Sequence, residues 1–256
     1  MIVILYKKRQ LCLALFLFLS ISVYGSESCI AQGELERSQV KKVVDGDTVH
    51  LIDGRKVRLI GINTPELDHQ HGRHDEYAVA AKNALQSLVG DSVYVQKAKD
   101  GRDRYGRYLY YLFDKKRISI TSQLLALGLG YRIAFPPNLS YQPCFQHSEE
   151  KARDNKKGVW KASLAWLPKG GFTVAPFIIE KVTRNKGGWW LETEQDVVIN
   201  IPRSLLDYWP AQKVYYLEGK KVEARGWQHY RKNRNSAYKS WHLSVKHPND
   251  LQLLLR

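Results

Sequence analysis

The chain has 256 residues, 44% of them hydrophobic, and no low-complexity run. That is enough for one or two domains with real cores, and it sets aside a disordered or repetitive protein. The formal net charge of +15 says nothing about fold and favours polyanionic partners: nucleic acid, anionic lipid or acidic polysaccharide. Lys7, Lys8 and Arg9 precede an apolar run at 11–23 that only Ser20 and Ser22 interrupt. This run falls short of the roughly 20 residues that span a bilayer, and Gly25 offers a small residue for cleavage. Residues 1–25 therefore read as a signal peptide. The expectation is a secreted or periplasmic protein with no stable membrane span after cleavage; the alternative is an N-terminal membrane anchor. Cys12 leaves with this segment, so Cys29 and Cys144 remain as an even pair and a candidate disulfide in an oxidising compartment.

A polar leader follows at 26–36. The first domain, 36–165, opens with a strand at 39–44. A β-hairpin comes next, in which Val49, Leu51, Val57 and Leu59 alternate around an Asp53-Gly54 turn. After a polar loop, Asp75 caps a helix running to about Val89, with Tyr77, Ala81, Ala84, Leu85 and Leu88 at helical spacing. Strands are predicted at 92–99 and 107–113. Ser119 caps a second helix with Ile120, Leu124 and Leu127 inward, stopped by Gly128 and Gly130. A loop with Pro136, Pro137 and Pro143 leads to a third helix at 147–157, and Gly158-Val159-Trp160 closes the unit. Five strands with three helices, an α+β and mainly β pattern, fit a small barrel of the oligonucleotide/oligosaccharide-binding (OB) kind.

The pattern breaks at Trp-Leu-Pro-Lys-Gly-Gly, 166–171, which reads as a linker. Residues 172–256 are strand-rich. Strands at 177–183, 189–193 and 197–201 precede a short helix within 202–209, and further strands lie at 220–226 and 241–245. The first two strands flank an Asn185-Lys186-Gly187-Gly188 turn. This reads as a second, smaller OB-like β barrel, with no clear sequence repeat of the first.

The stretch VVDGDTVHLIDGRKVRLIGINTPE, 43–66, carries groups that packing does not require. Asp45 and Asp47 sit at one end, Arg58 interrupts a strand, and Glu66 stands at the exit. Folded back, the hairpin brings Asp47, Arg58 and Glu66 close together. A carboxylate that holds a metal, a cation that holds phosphate and a second carboxylate that acts as base make a phosphodiester-hydrolysis set. For a lone Asp-Gly-Asp the plainer reading is a turn, and for a lone arginine a surface ion pair.

Three motifs together overturn those plain readings. DGDT, then RLIGINTPE, then DRYGR at 103–107 resemble, in order and rough spacing, the staphylococcal nuclease (thermonuclease) family over about residues 36–165. The resemblance implies the OB-type fold independently. It implies that Asp47, Asn63 and the backbone carbonyl of Thr64 hold Ca²⁺, with Asp45 behind them. Asn63 departs from the family's Asp: an amide oxygen still ligates, but one negative charge is lost and other divalent metals come into play. Glu66 matches the glutamate that handles the attacking water. Arg58 and Arg107 match the arginines that grip the scissile phosphate. Arg104 and Tyr105 fall where the family holds a bound nucleotide's terminal phosphate.

The implied activity is a metal-dependent nonspecific endonuclease that cleaves DNA and RNA, prefers single strands and leaves 3′-phosphate ends. The alternative is a non-catalytic nucleic-acid-binding protein that lost metal-dependent activity through Asn63. Residues 172–256 bear a weaker resemblance to OB-like tails on some bacterial members.

Other chemistry is excluded. There is no P-loop, no zinc pattern of paired cysteines and no serine nucleophile elbow. Asp68, His69, His71 and His74 could bind a transition metal, but a solvated loop is the favoured reading because no helix or strand phases them. In the second half, Trp189, Trp190, Trp227 and Tyr230 mix with Arg184, Lys186, Arg225, Arg231, Lys232 and Arg234. Such a mixture suits a single-strand groove, and core tryptophans beside a solvated loop explain it equally simply.

Overall fold

The computed structural model describes residues 29–68, 70–232 and 238–254; the expected signal peptide lies outside the described residues. Period-two alternation builds β1 (Glu36–Asp45), β2 (Thr48–Leu51) and β3 (Lys56–Leu59) as two successive hairpins. Asp45, Gly46 and Asp47 thus belong to a tight turn of their own, before the Asp53-Gly54 turn. Val43, Val49, Leu51, Val57 and Leu59 are buried, which leaves Arg58 on the barrel's outer face. There follow β4 (Ile62–Asn63), α1 (Ala78–Val89), β5 (Ser92–Arg102) and β6 (Tyr108–Phe113). The barrel closes in the order β1-β2-β3-β6-β5, with β3 and β6 parallel. Then α2 (Ile120–Ala126), β7 (Tyr131–Arg132) and α3 (Gln142–Asp154) pack around it, β7 pairing with β4.

Four expectations need correction here. Asp75 does not cap α1 through its side chain; that helix begins after Tyr77, at φ 66°, with no side-chain cap. Its buried face is Ala78, Ala81, Leu85 and Val89, shifted from the expected stripe. α3 starts at Gln142, so Pro143 lies in its first turn, where its missing N–H costs nothing. Leu127 is exposed, because α2 ends at Ala126 before the stripe returns to the core. Ser119 Oγ does accept from Ser122 N, at 3.3 Å. Cys29 and Cys144 are bonded, with Cα atoms 5.8 Å apart. The bond fastens the leader to α3 and stabilises by about 2–4 kcal/mol.

The second half comprises β8 (Gly171–Asn185), β9 (Gly188–Thr193), β10 (Val197–Pro202), α4 (Ala211–Tyr215), β11 (Lys221–Tyr230), β12 (Trp241–Ser244) and β13 (Leu251–Leu253). β8-β9-β10-β12-β11 closes on itself, because β11 pairs with both β12 and β8. Its third and fifth strands, β10 and β12, run parallel. Both barrels therefore share the strand order 1-2-3-5-4, which no sequence repeat reveals. The fold is mainly β, with two OB-type barrels. α4 and β13 were missed because they are too short for a hydrophobic period to register. Phe177, Ile179, Trp189, Leu191, Ile199 and Leu243 fill this core.

The barrels meet over a buried ionic seam. Arg225 of β11 donates to both oxygens of Glu149 on α3, at 2.8 Å each, to the Arg132 carbonyl at 2.9 Å and to Glu223 at 2.6 Å. Arg132 donates to the Asn249 carbonyl at 2.7 Å and Gln142 Oε1 at 3.0 Å, and Arg153 donates to Glu223 at 3.0 and 2.5 Å. Asp250 accepts from Ala134 N at 3.0 Å. Arg225 is therefore structural, not part of a nucleic-acid groove. Beside the seam, Phe172 packs on Tyr131 and on Trp227, ring centroids 5.9 and 5.1 Å apart. The seam reaches the strand of interest, since Tyr131 pairs with Asn63 and Arg132 with Ile62.

Candidate active site

The turn between β1 and β2 exposes no room for a side chain at Gly46. A Cβ there would lie 2.6 Å from Ala81 Cβ and 2.7 Å from Thr64 Oγ1. That close approach presses the turn against α1 and against the Thr64-Pro65-Glu66 corner. Asp47 is consequently buried. Its Oδ2 accepts from Thr64 N at 3.2 Å and Thr64 Oγ1 at 3.1 Å, and its Oδ1 from Thr48 Oγ1 at 3.1 Å. Arg58 reaches over from β3, directly across from Thr48. Its Nη1 forms an ion pair with Asp47 Oδ2, and its Nη2 donates to Asn63 Oδ1 at 3.1 Å.

Carboxylates crowd this end of the barrel. Asp45 accepts from Asp47 N at 3.1 Å. Burial, then the Asp47 charge, push its pKa up to about 6. Glu66 stands at the exposed rim. Crowding by surrounding protein raises its pKa, followed by the charges of Asp47 and Asp45, while Arg58 lowers it. Because Glu66 is open to water, that rise is smaller than burial alone would give. Two carboxylates, the Asn63 amide oxygen and the Thr64 carbonyl are hard oxygen donors. Their mutual repulsion is what a hard divalent cation relieves, so the residues present fit such an ion.

Glu66 and Asp75 exchange two hydrogen bonds. Glu66 N donates to Asp75 Oδ2 and Asp75 N donates to the Glu66 carbonyl, both at 3.1 Å. They close the intervening loop and aim Glu66. Sequence reasoning gave Asp75 to helix capping; nothing local distinguishes a carboxylate that turns back nine residues from one that turns forward. Within the loop, Asp68 accepts from Gln70 N and His71 N, at 2.9 and 2.8 Å, and Asp68 N donates to His74 Nδ1 at 3.1 Å. Among the described residues, which omit His69, no three His, Cys, Asp or Glu side chains gather to hold a metal.

The loop from β5 to β6 is organised by Asp103, which sequence reasoning passed over. Its Oδ1 accepts from Tyr105 N and Arg107 N at 2.9 Å each, and its Oδ2 from Arg107 Nε at 2.7 Å. An Asx turn with Gly106 at φ 77° is the signal that could have marked it. Arg107 lies two residues before Leu109, the strand partner of Arg58, so both arginines share the outer face. Its guanidinium contacts Asp103, not the Asp47–Arg58 pair. Arg104 Nη2 donates to the hydroxyl of the exposed Tyr105 at 2.6 Å.

Comparison with known proteins agrees with this geometry. Residues 56–162 match the family described as staphylococcal nuclease homologues. The thermonuclease of Staphylococcus intermedius is 30% identical over 126 residues, 48% of this chain and 74% of that protein. The thermonuclease of Staphylococcus hyicus matches with the same identity and coverage. Endonuclease YncB of Bacillus subtilis is 30% identical over 148 residues, 55% of this chain and 69% of its own. With the first two motifs brought together at one end of an OB barrel and these relatives aligned across most of their length, the chain belongs to the staphylococcal nuclease family and is a nuclease, a phosphodiesterase by reaction class.

Proposed function

We propose that the protein is a metal-dependent endonuclease that hydrolyses internal phosphodiester bonds of DNA and RNA, favours single-stranded substrate and leaves 3′-phosphate ends. The observation that supports it most is the meeting of Asp45 and Asp47 on a turn that Arg58 spans, on the outer face of a barrel, with Glu66 at the rim where their charges act on it. Asp47, Asn63 and the Thr64 carbonyl would hold the cation, with Ca²⁺ the first expectation and other divalent ions allowed by Asn63. A bound cation supplies charge neutralisation and a Lewis acid at a phosphate oxygen. Arg58 and Arg107 grip the phosphate and stabilise charge that grows on its oxygens. Arg104 and Tyr105 hold a neighbouring phosphate. Glu66, its pKa raised above the usual carboxylate value by the surrounding protein, accepts a proton from the attacking water, and the 5′ oxygen leaves.

A second reading, binding without turnover, has one observation in its favour: Asn63 Oδ1 already serves Arg58 as an acceptor. Digestion of plasmid DNA and of RNA with Ca²⁺, Mg²⁺, Mn²⁺ or EDTA separates the two. Cleavage in a divalent metal and none in EDTA supports the nuclease mechanism. Binding without cleavage in every metal supports the second. Export remains a proposal resting on residues 1–25, checked by N-terminal sequencing of the exported protein.

A further inference from the structure

The second barrel presents aromatic and imidazole side chains on its outer face. Trp189 is core, but Trp190 beside it points the other way and is only partly buried. Cross-strand register places Trp190 opposite Asn200, Asn200 opposite Ser244 and Ser244 opposite Trp227. In the adjacent row, His242 lies between Val198 and His229. The rings touch: Trp190 and His242 centroids are 5.6 Å apart, His229 and His242 5.5 Å. Trp227 is 37% exposed. In OB barrels the face over the second and third strands, flanked by the first and fourth hairpin loops, is where oligomeric ligands lie. Here those strands are β9 and β10, and the first hairpin loop carries Lys186.

The row leads back to the candidate active site. Two residues beyond Ser244, Lys246 holds its Nζ 3.6 Å from the centroid of the Phe135 ring, in the first barrel, and Phe135 packs against Trp227 at 6.2 Å. Among the described residues Lys246 forms no ion pair, and the Asp250 carboxylate acts on it only through its charge. Burial lowers its pKa, and Arg104 lowers it further, so the two cations lie within reach of each other. Two like charges at one junction favour a polyanion there. Glu192 is the one acid on the stacked rows, opposite Val198 and away from the junction.

We propose that a single strand of nucleic acid held at the first barrel continues past Arg104 and Lys246 onto the outer face of the second, where its bases stack on Trp227, His242 and Trp190. This rests on the nuclease reading of the first barrel. The second barrel then gives affinity that grows with substrate length and takes no part in bond cleavage. Stacking suits unpaired bases, whose faces a duplex hides.

The test uses the full protein in EDTA with fluorescent thymidine oligomers of about four and about twenty nucleotides, chosen around OB-fold site sizes. Trp190→Ala, His242→Ala and Lys246→Gln are compared after their melting temperatures are shown to match wild type. Each is expected to lose about tenfold or more in affinity for the longer oligomer and to bind the short one as wild type does. In Ca²⁺, kcat on the short oligomer should be unchanged. Lys246→Gln should also lower the salt slope of long-oligomer binding by about one. Wild-type affinity for the longer oligomer in all three variants overturns the proposal, as does equal affinity for a duplex of the same length. Wild-type protein that cleaves neither oligomer in any divalent metal overturns the nuclease mechanism instead, so the two failures are distinguishable.

Discussion

Replacing Arg225 by Ala should weaken the whole molecule, because it removes the centre of the ionic seam. Arg225 is 1% exposed, and three guanidiniums, Arg132, Arg153 and Arg225, there face three carboxylates, Glu149, Glu223 and Asp250. Without Arg225 the balance is broken. Glu223 keeps both of its bonds from Arg153. Glu149 keeps only Arg132 N at 2.7 Å and the Arg132 Nε at 3.8 Å. Breaking a buried pair by deleting one partner costs roughly 3–5 kcal/mol, most of it the orphaned charge. At about 2–4 °C per kcal/mol for a chain of this size, the melting temperature should fall by roughly 6–20 °C. Circular dichroism melts on protein with the disulfide intact read this directly. Glu149→Gln in the Arg225→Ala background should recover part of the loss, since the amide oxygen still accepts from Arg132 N and the charge is gone. A melting temperature within about 2 °C of wild type, or a double variant no more stable than the single, would refute the reasoning.

Four further outcomes are expected. Glu66→Gln, Arg58→Ala and Arg107→Ala should each reduce turnover by roughly 10² or more while the fold survives; near wild-type rates in all three would sink the assignment. Asn63→Asp should tighten Ca²⁺ binding measured by calorimetry without substrate and lower the Ca²⁺ needed for half-maximal cleavage, because it restores a carboxylate to the donor set; unchanged binding would mean that residue 63 is not a ligand. Asp75→Ala should cut kcat about tenfold by releasing Glu66 N, with KM nearly unchanged and partial rescue in Asp75→Asn; equal effects on stability and rate would point to a folding role alone. Asp250 is buried, and that burial raises its pKa to about 7 against the opposing Arg132 and Arg225 charges. A raised carboxyl contributes stability that is full below its unfolded pKa and lost as pH rises through the folded one. Urea unfolding should therefore show stability falling between about pH 4 and pH 7 by up to a few kcal/mol, and Asp250→Asn should flatten that slope; an unchanged slope would reject the assignment.

Much of this protein is written in local pattern. Alternation at Val49, Leu51, Val57 and Leu59 marks a strand pair, a turn residue stands at Gly54, and Ser119 starts a helix. These follow from interactions between near neighbours, which any reader of the chain can count. The three motifs likewise announce a phosphodiester site, because such chemistry restricts which residue types stand at a turn and a strand end. Long-range partners have no such trace. Trp189 and Trp190 are identical in composition, and only the closed barrel decides that one is core and the other faces outward. Arg132, in a stretch that reads as a loop, is buried because Glu149, Gln142 and Asn249 meet it from further along the chain. Asp75 turns back to Glu66 instead of forward into α1, since the loop it closes sets the geometry. Burial of a charge depends on what converges on it, and convergence is a property of the folded chain, not of any window of its sequence.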